Sequence, residues 1–133
     1  MKNRVLFVFL FSCFFVFLFS GCQVEENYVT EYGFSDNLLA NSRIQSKPNG
    51  VFIEVPFVDF SCETETFRAV LNRSKIKREF SLIISGTETE ERCNKLFFAE
   101  ILGVSPGKYS LKVIYEKTEE ERLDVFYEKF EIK

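Results

Sequence analysis

KYSLKVIYE, Lys108 to Glu116, decides the fold. Tyr109, Leu111, Val113 and Tyr115 share one parity, while Ser110, Lys112 and Ile114 share the other. Successive side chains of an extended backbone point to opposite faces, so this alternation marks a strand with one buried side. The same period recurs outward from it. VFIEVPFV (51–58) sets Ile53, Val55 and Phe57 in phase, TFRAVLNR (66–73) sets Phe67, Ala69 and Leu71, and EFSLIIS (79–85) sets Phe80, Leu82 and Ile84. CNKLFFAEI (93–101) places Leu96 and Phe98 on one face and turns Phe97 the other way. DVFYEKFEI (124–132) brings Phe126, Phe130 and Ile132 into phase. Turn residues divide these runs at Lys47-Pro48-Asn49-Gly50, Gly86-Thr87, Pro106-Gly107 and the charged stretch Lys117 to Arg122. Short strands at this spacing predict an all-β chain, a small antiparallel β-sandwich of about six to seven strands over residues 50–133. Pro56, which lacks a backbone N–H, assigns the first of these strands to an edge or a bulge.

The segment Val104-Ser-Pro-Gly-Lys-Tyr109-Ser-Leu-Lys-Val-Ile-Tyr115 resembles the penultimate strand of immunoglobulin-like and transthyretin-like sandwich domains, in the form Pro-Gly-x-Tyr-x-Leu-x-Val. Tyr109 matches the corner tyrosine of those domains, whose hydroxyl ties back to the backbone. The antibody-type hallmarks are missing: the chain has no Trp, and Leu111 stands where the second core cysteine would be. The resemblance concerns architecture and carries no active site.

The first part of the 133-residue chain is of another kind. Met1 to Arg4 carries two positive charges, Val5 to Phe19 is apolar except for Ser12 and Cys13, and Ser20-Gly21-Cys22 follows. A basic start, an apolar core and a small-residue exit make a secretory signal peptide, predicted over 1–21. As a helix its core would reach only ~23 Å, short of a hydrocarbon layer of about 30 Å. Phe19-Ser20-Gly21-Cys22 resembles the lipobox of bacterial lipoproteins, Leu-(Ala/Ser/Thr)-(Gly/Ala)-Cys, with Phe19 departing from the preferred Leu. The resemblance implies that the Cys22 sulfur receives a diacylglyceryl group, that cleavage makes it the new N-terminus, and that the membrane is a partner through this anchor. Gln23 stands where the inner-membrane retention signal has Asp, which by the same resemblance favours the outer membrane of a bacterial cell envelope. Residues 22–49 read as the lipidated cysteine and a spacer, since apolar residues there are scattered. Ser35 could cap a short helix carrying Leu38 and Leu39. A flexible spacer over 23–49 would span about 30 Å.

Without Lys2 and Arg4 the formal charge is −5, from 15 basic and 20 acidic residues. That balance argues against nucleic acid, whose phosphates need clustered Lys and Arg. Cys62 and Cys93 are the cysteines that remain beyond Cys13 and Cys22. An exported compartment permits a Cys62–Cys93 disulfide; free core thiols and a metal site are the alternatives, the last poor because two thiols without histidine leave a zinc shell incomplete. Two acidic loops echo each other, Gly86-Thr-Glu-Thr-Glu-Glu-Arg92 and Lys117-Thr-Glu-Glu-Glu-Arg122. They lack the alternating spacing of a calcium loop and read as solvated tips. Asn72-Arg73-Ser74 matches a glycosylation sequon, read here as a chance match.

The chain contains no histidine, which removes the commonest general base and the Ser-His and Cys-His pairs. The expectation is therefore a protein that is not an enzyme, uses no cofactor and binds an envelope protein partner by surface contact. Its alternative is a surface-exposed lipoprotein that binds host or environmental ligands.

Overall fold

A computed structural model describes residues 28–36, 39–74 and 76–133. The predicted signal peptide and Cys22 lie outside the described residues. The strands are β1 (Val29–Asp36), β2 (Arg43–Lys47), β3 (Gly50–Ser61), β4 (Arg68–Ser74), β5 (Glu79–Ser85), β6 (Arg92–Leu102), β7 (Gly107–Glu116) and β8 (Arg122–Ile132). They form two four-stranded sheets, ordered β1-β6-β3-β2 and β4-β5-β7-β8. The architecture is a small β-sandwich.

The inner faces follow the alternation read from the sequence. Tyr109, Leu111, Val113 and Tyr115 of β7 are buried, as are Phe80, Leu82 and Ile84 of β5, and Val51, Ile53, Val55 and Phe57 of β3. Their burial is the main stabilising contribution, at about 25 cal/mol per Å² of apolar surface. Aromatic rings fill one end of the core: Phe60 lies 4.8 Å from both Phe57 and Phe67, and 5.4 Å from Tyr115. The corner expected at Tyr109 is present, its hydroxyl donating to the Ser105 carbonyl at 2.7 Å.

The structure departs from the sequence reading in five places. First, the sandwich takes in residues assigned to the spacer. β1 pairs with β6 from Val29 opposite Leu102 to Asp36 opposite Lys95, and β2 pairs with β3. Tyr28, Tyr32, Phe34 and Ile44 pack against the core, which is what holds these strands in place. Ser35 accordingly lies in β1 and caps no helix; Leu38 lies outside the described residues. Second, the strand count is eight. Third, one pairing is parallel: β5 and β7 run the same way, because β6 crosses to the other sheet between them.

Fourth, the core parity of β6 is that of Phe97, Ala99 and Ile101, not that of Phe98. Leu96 is buried too, but Phe98 lies across Gly33 on the neighbouring strand, where an added Cβ would meet its ring at 2.6 Å. A glycine opposite an aromatic lets the ring cover exposed backbone. Fifth, of the edge and the bulge expected from Pro56, the edge fails, since β3 is an inner strand, while a bulge-type irregularity does follow directly after Phe57. Pro56 is still tolerated because β2 begins only at Arg43, opposite Glu54, so Pro56 faces no β2 partner. The pairing of β3 with β6 then shifts register between Phe57 and Phe60, and Asp59 takes a left-handed φ of 55° there.

The topology gives the sandwich two distinct ends. Tyr28, the β2–β3 turn, the β4–β5 turn and the β6–β7 loop lie at one end. The loops after β3, β5 and β7 lie at the other, and the acidic residues gather there.

Candidate functional site

The acidic end is built around the irregular end of β3. Cys62, just past β3, and Cys93, on β6, form a disulfide with a Cα–Cα distance of 4.9 Å. It joins adjacent strands of one sheet, unlike the bond between sheets in antibody-type domains. Beside it, Arg92 ties the bulge to the next loop. Its Nε donates to the Asp59 carboxylate at 3.1 Å, its Nη2 to the Asp59 carbonyl, and its Nη1 to the Thr89 carbonyl at 3.4 Å. Such pairing favours the guanidinium and holds its pKa above the usual value, the Asp59 hydrogen bond contributing most.

The loop after β5 is fixed along its length. The fully buried Ser61 hydroxyl accepts from Thr89 N–H at 2.9 Å, and the two hydroxyls lie 2.7 Å apart. Thr87 N–H donates to the Thr66 hydroxyl at 2.9 Å, and Cys62 N–H donates to the Glu91 carbonyl at 3.2 Å. Satisfied backbone groups of this kind keep a loop in one conformation.

Glu88 turns inward from this loop. The Tyr115 hydroxyl donates to Glu88 Oε1 at 2.6 Å. That bond is the largest cause holding the Glu88 carboxyl below its ordinary 4.5. Burial, reinforced by the same carboxylate, pushes the Tyr115 hydroxyl well above its ordinary 10.0. The consequences for stability have opposite signs. A carboxylate with a depressed folded pKa stabilises above its unfolded pKa and loses that contribution as pH falls through the folded value. A phenol with a raised folded pKa contributes fully below its unfolded pKa and loses that contribution as pH rises beyond it. Urea midpoints measured from pH 3 to pH 11 should therefore fall below about 4.5 and above about 10. Glu88→Gln should flatten the acid limb and Tyr115→Phe the alkaline limb. Unchanged limbs would contradict the assignment.

Glu90, Glu91, Glu119, Glu120 and Glu121 are exposed and stand in no ion pair among the described residues. The two loops that echo each other in sequence meet at this end, since Glu88 senses Lys117 and Tyr115 senses Glu121. Chemically, the arrangement offers fixed acceptors to a cationic surface. Among the described residues, no three of His, Cys, Asp and Glu converge to hold a metal ion.

Sequence reasoning missed a feature at the other end. A groove of about 600 Å³ lies where the β4–β5 turn, the start of β7 and the end of β8 meet. Its lining includes Lys77, Arg78, Lys108 and Lys129, with Glu79, Glu131, Tyr109 and Tyr127. Arg73 sits behind it, its guanidinium 5.4, 5.3 and 5.7 Å from the ring centres of Tyr28, Phe80 and Tyr109. Three separate segments contribute the cations: Lys77 and Arg78 belong to the basic stretch Arg73-Ser-Lys-Ile-Lys-Arg78, and Lys108 and Lys129 join them only in the fold. Comparisons with protein-family models, with curated proteins and with solved structures return no match.

Proposed function

We propose that this chain is a membrane-anchored envelope lipoprotein, acylated at Cys22, whose sandwich is a non-catalytic binding or assembly module in the periplasm. The reading is carried by one observation: the unpaired carboxylates Glu90, Glu91 and Glu119 to Glu121 stand at the end opposite Tyr28, the first two on a loop tied to Ser61 and Thr66 beside the disulfide, the last three on a turn closed by hydrogen bonds between Glu121 and both Lys117 and Thr118. A partner with a complementary basic patch meets a surface that loses little entropy on binding. The absence of histidine supports a role without catalysis. The Tyr109 corner supports an immunoglobulin-like architecture, a resemblance that by itself carries no function.

The test is capture of envelope proteins by the purified chain. A partner should be recovered at about 0.1 M salt, where the Debye length is about 10 Å, and lost at about 1 M, where it is about 3 Å. Changing Glu90, Glu91, Glu119, Glu120 and Glu121 together to lysine should abolish recovery. Glu88 is left intact because its carboxylate is committed to Tyr115. Recovery indifferent both to salt and to these substitutions would contradict docking through the acidic end.

A further inference from the structure

We propose that the turn at Ile76 and the cationic groove beside it form a membrane-facing surface that docks on anionic phospholipid headgroups, with Ile76 entering the interface. Four observations converge. Ile76 is 96% exposed, more than any other large hydrophobic residue described. It leads directly into Lys77 and Arg78, which with Lys108 and Lys129 line the groove. None of these four cations stands in an ion pair among the described residues, whereas Arg43, Lys47, Arg92, Lys95, Lys112 and Arg122 all do. The four cations outnumber the two carboxylates of the groove, Glu79 and Glu131, so on a chain of negative net charge this surface is locally complementary to phosphate, and an apolar side chain among basic ones suits the headgroup boundary.

The fourth observation is where the first described strand begins. Tyr28 packs edge-on against Phe80 at 5.2 Å and lies under the Arg73 guanidinium, at the groove end of the sandwich. Here the argument rests on the anchor reading of Cys22. Five residues lie between Cys22 and Tyr28, six Cα–Cα steps with a reach of at most about 22 Å. A spacer of 27 residues would have let the domain roam; this span brings the basic end to the bilayer. β7 alone, at 10 residues, adds about 33 Å before the acidic end is reached. One molecule thus turns its basic end to lipid and its acidic end outward.

The chain has no tryptophan, so one introduced residue reports its own surroundings. The full chain carrying Ile76→Trp, purified from membranes, is reconstituted into phosphatidylcholine vesicles with and without phosphatidylglycerol. With phosphatidylglycerol, its emission should shift to the blue and brominated acyl chains should quench it. A Glu120→Trp chain in the same vesicles should emit as in water. Each of Lys77→Gln, Arg78→Gln and Lys129→Gln should weaken the surface-bound population about fivefold. The proposal is overturned if Ile76→Trp stays as wet as Glu120→Trp, or behaves identically without phosphatidylglycerol. Displacement by inorganic phosphate at constant ionic strength would also overturn it, assigning the groove to a free anion. Palmitate labelling of the same preparations reports the Cys22 anchor separately, so failure of one reading is distinguishable from failure of the other.

Discussion

Removing the Cys62–Cys93 bond is expected to lower the stability of the sandwich by about 3–4 kcal/mol, for a sequence separation of 31 residues. In the loop-closure account the bond acts on the unfolded chain, whose freedom it restricts. Here it also has work to do in the native state. The register of β3 against β6 slips between Phe57 and Phe60, so the last turn of pairing, Phe60 with Cys93 and Ser61 with Arg92, is cut off from the long regular ladder. The disulfide closes that short piece. Ser61, Thr89 and Arg92, which hold the acidic loop, all depend on it staying closed. Domains of this size are stable by only about 5–15 kcal/mol, so the loss is a large share of the total. Urea unfolding of the Cys62→Ala/Cys93→Ala chain should show a midpoint lowered by roughly 1–3 M. Recovery of the salt-sensitive partner should fall with it. A midpoint shift below about 0.5 M would show that the bond is incidental to the fold.

What the sequence made legible, and what it hid, follows from how each element is buried. β5 and β7 were plain because both are inner strands with one fully buried face, which leaves a clean period of two. β1 was hidden because it is an edge strand whose Tyr32 and Phe34 are only half-buried and whose apolar positions are few. The run Leu96-Phe97-Phe98 is apolar on both parities, and only the position of Gly33 across the ladder shows why Phe98 belongs outside. The parallel pairing of β5 with β7 depends on β6 leaving for the other sheet, a decision made by global packing and not by any residue of β5 or β7. The candidate site divides in the same way. The acidic loops were visible as charge runs, and the cysteine pair was visible by count. The bond from Tyr115 to Glu88 spans 27 residues and leaves no local mark. The basic groove is assembled from residues 77–78, 108 and 129, which come together only when β7 lies between β5 and β8.

The anchor at Cys22 carries the most consequential expectation, because the orientation of both ends depends on it. Cys22 follows a basic tetrapeptide, an apolar run from Val5 to Phe19 and the small pair Ser20-Gly21, and in the proposed reading its thiol is the one an acyltransferase at the bilayer surface modifies. Each buried methylene contributes about 0.8 kcal/mol, so one acyl chain binds reversibly while two or more hold the protein durably. Replacing one sulfur should thus change attachment almost completely while leaving the sandwich, which begins at β1, intact. The decisive measurement is metabolic labelling with a palmitate analogue, combined with mass spectrometry of the N-terminal peptide, for the native chain and for Cys22→Ala. The account predicts a mature native chain that begins at an acylated Cys22, with all label lost in Cys22→Ala. An unmodified Cys22 in the native chain, or label that persists in Cys22→Ala, would contradict it.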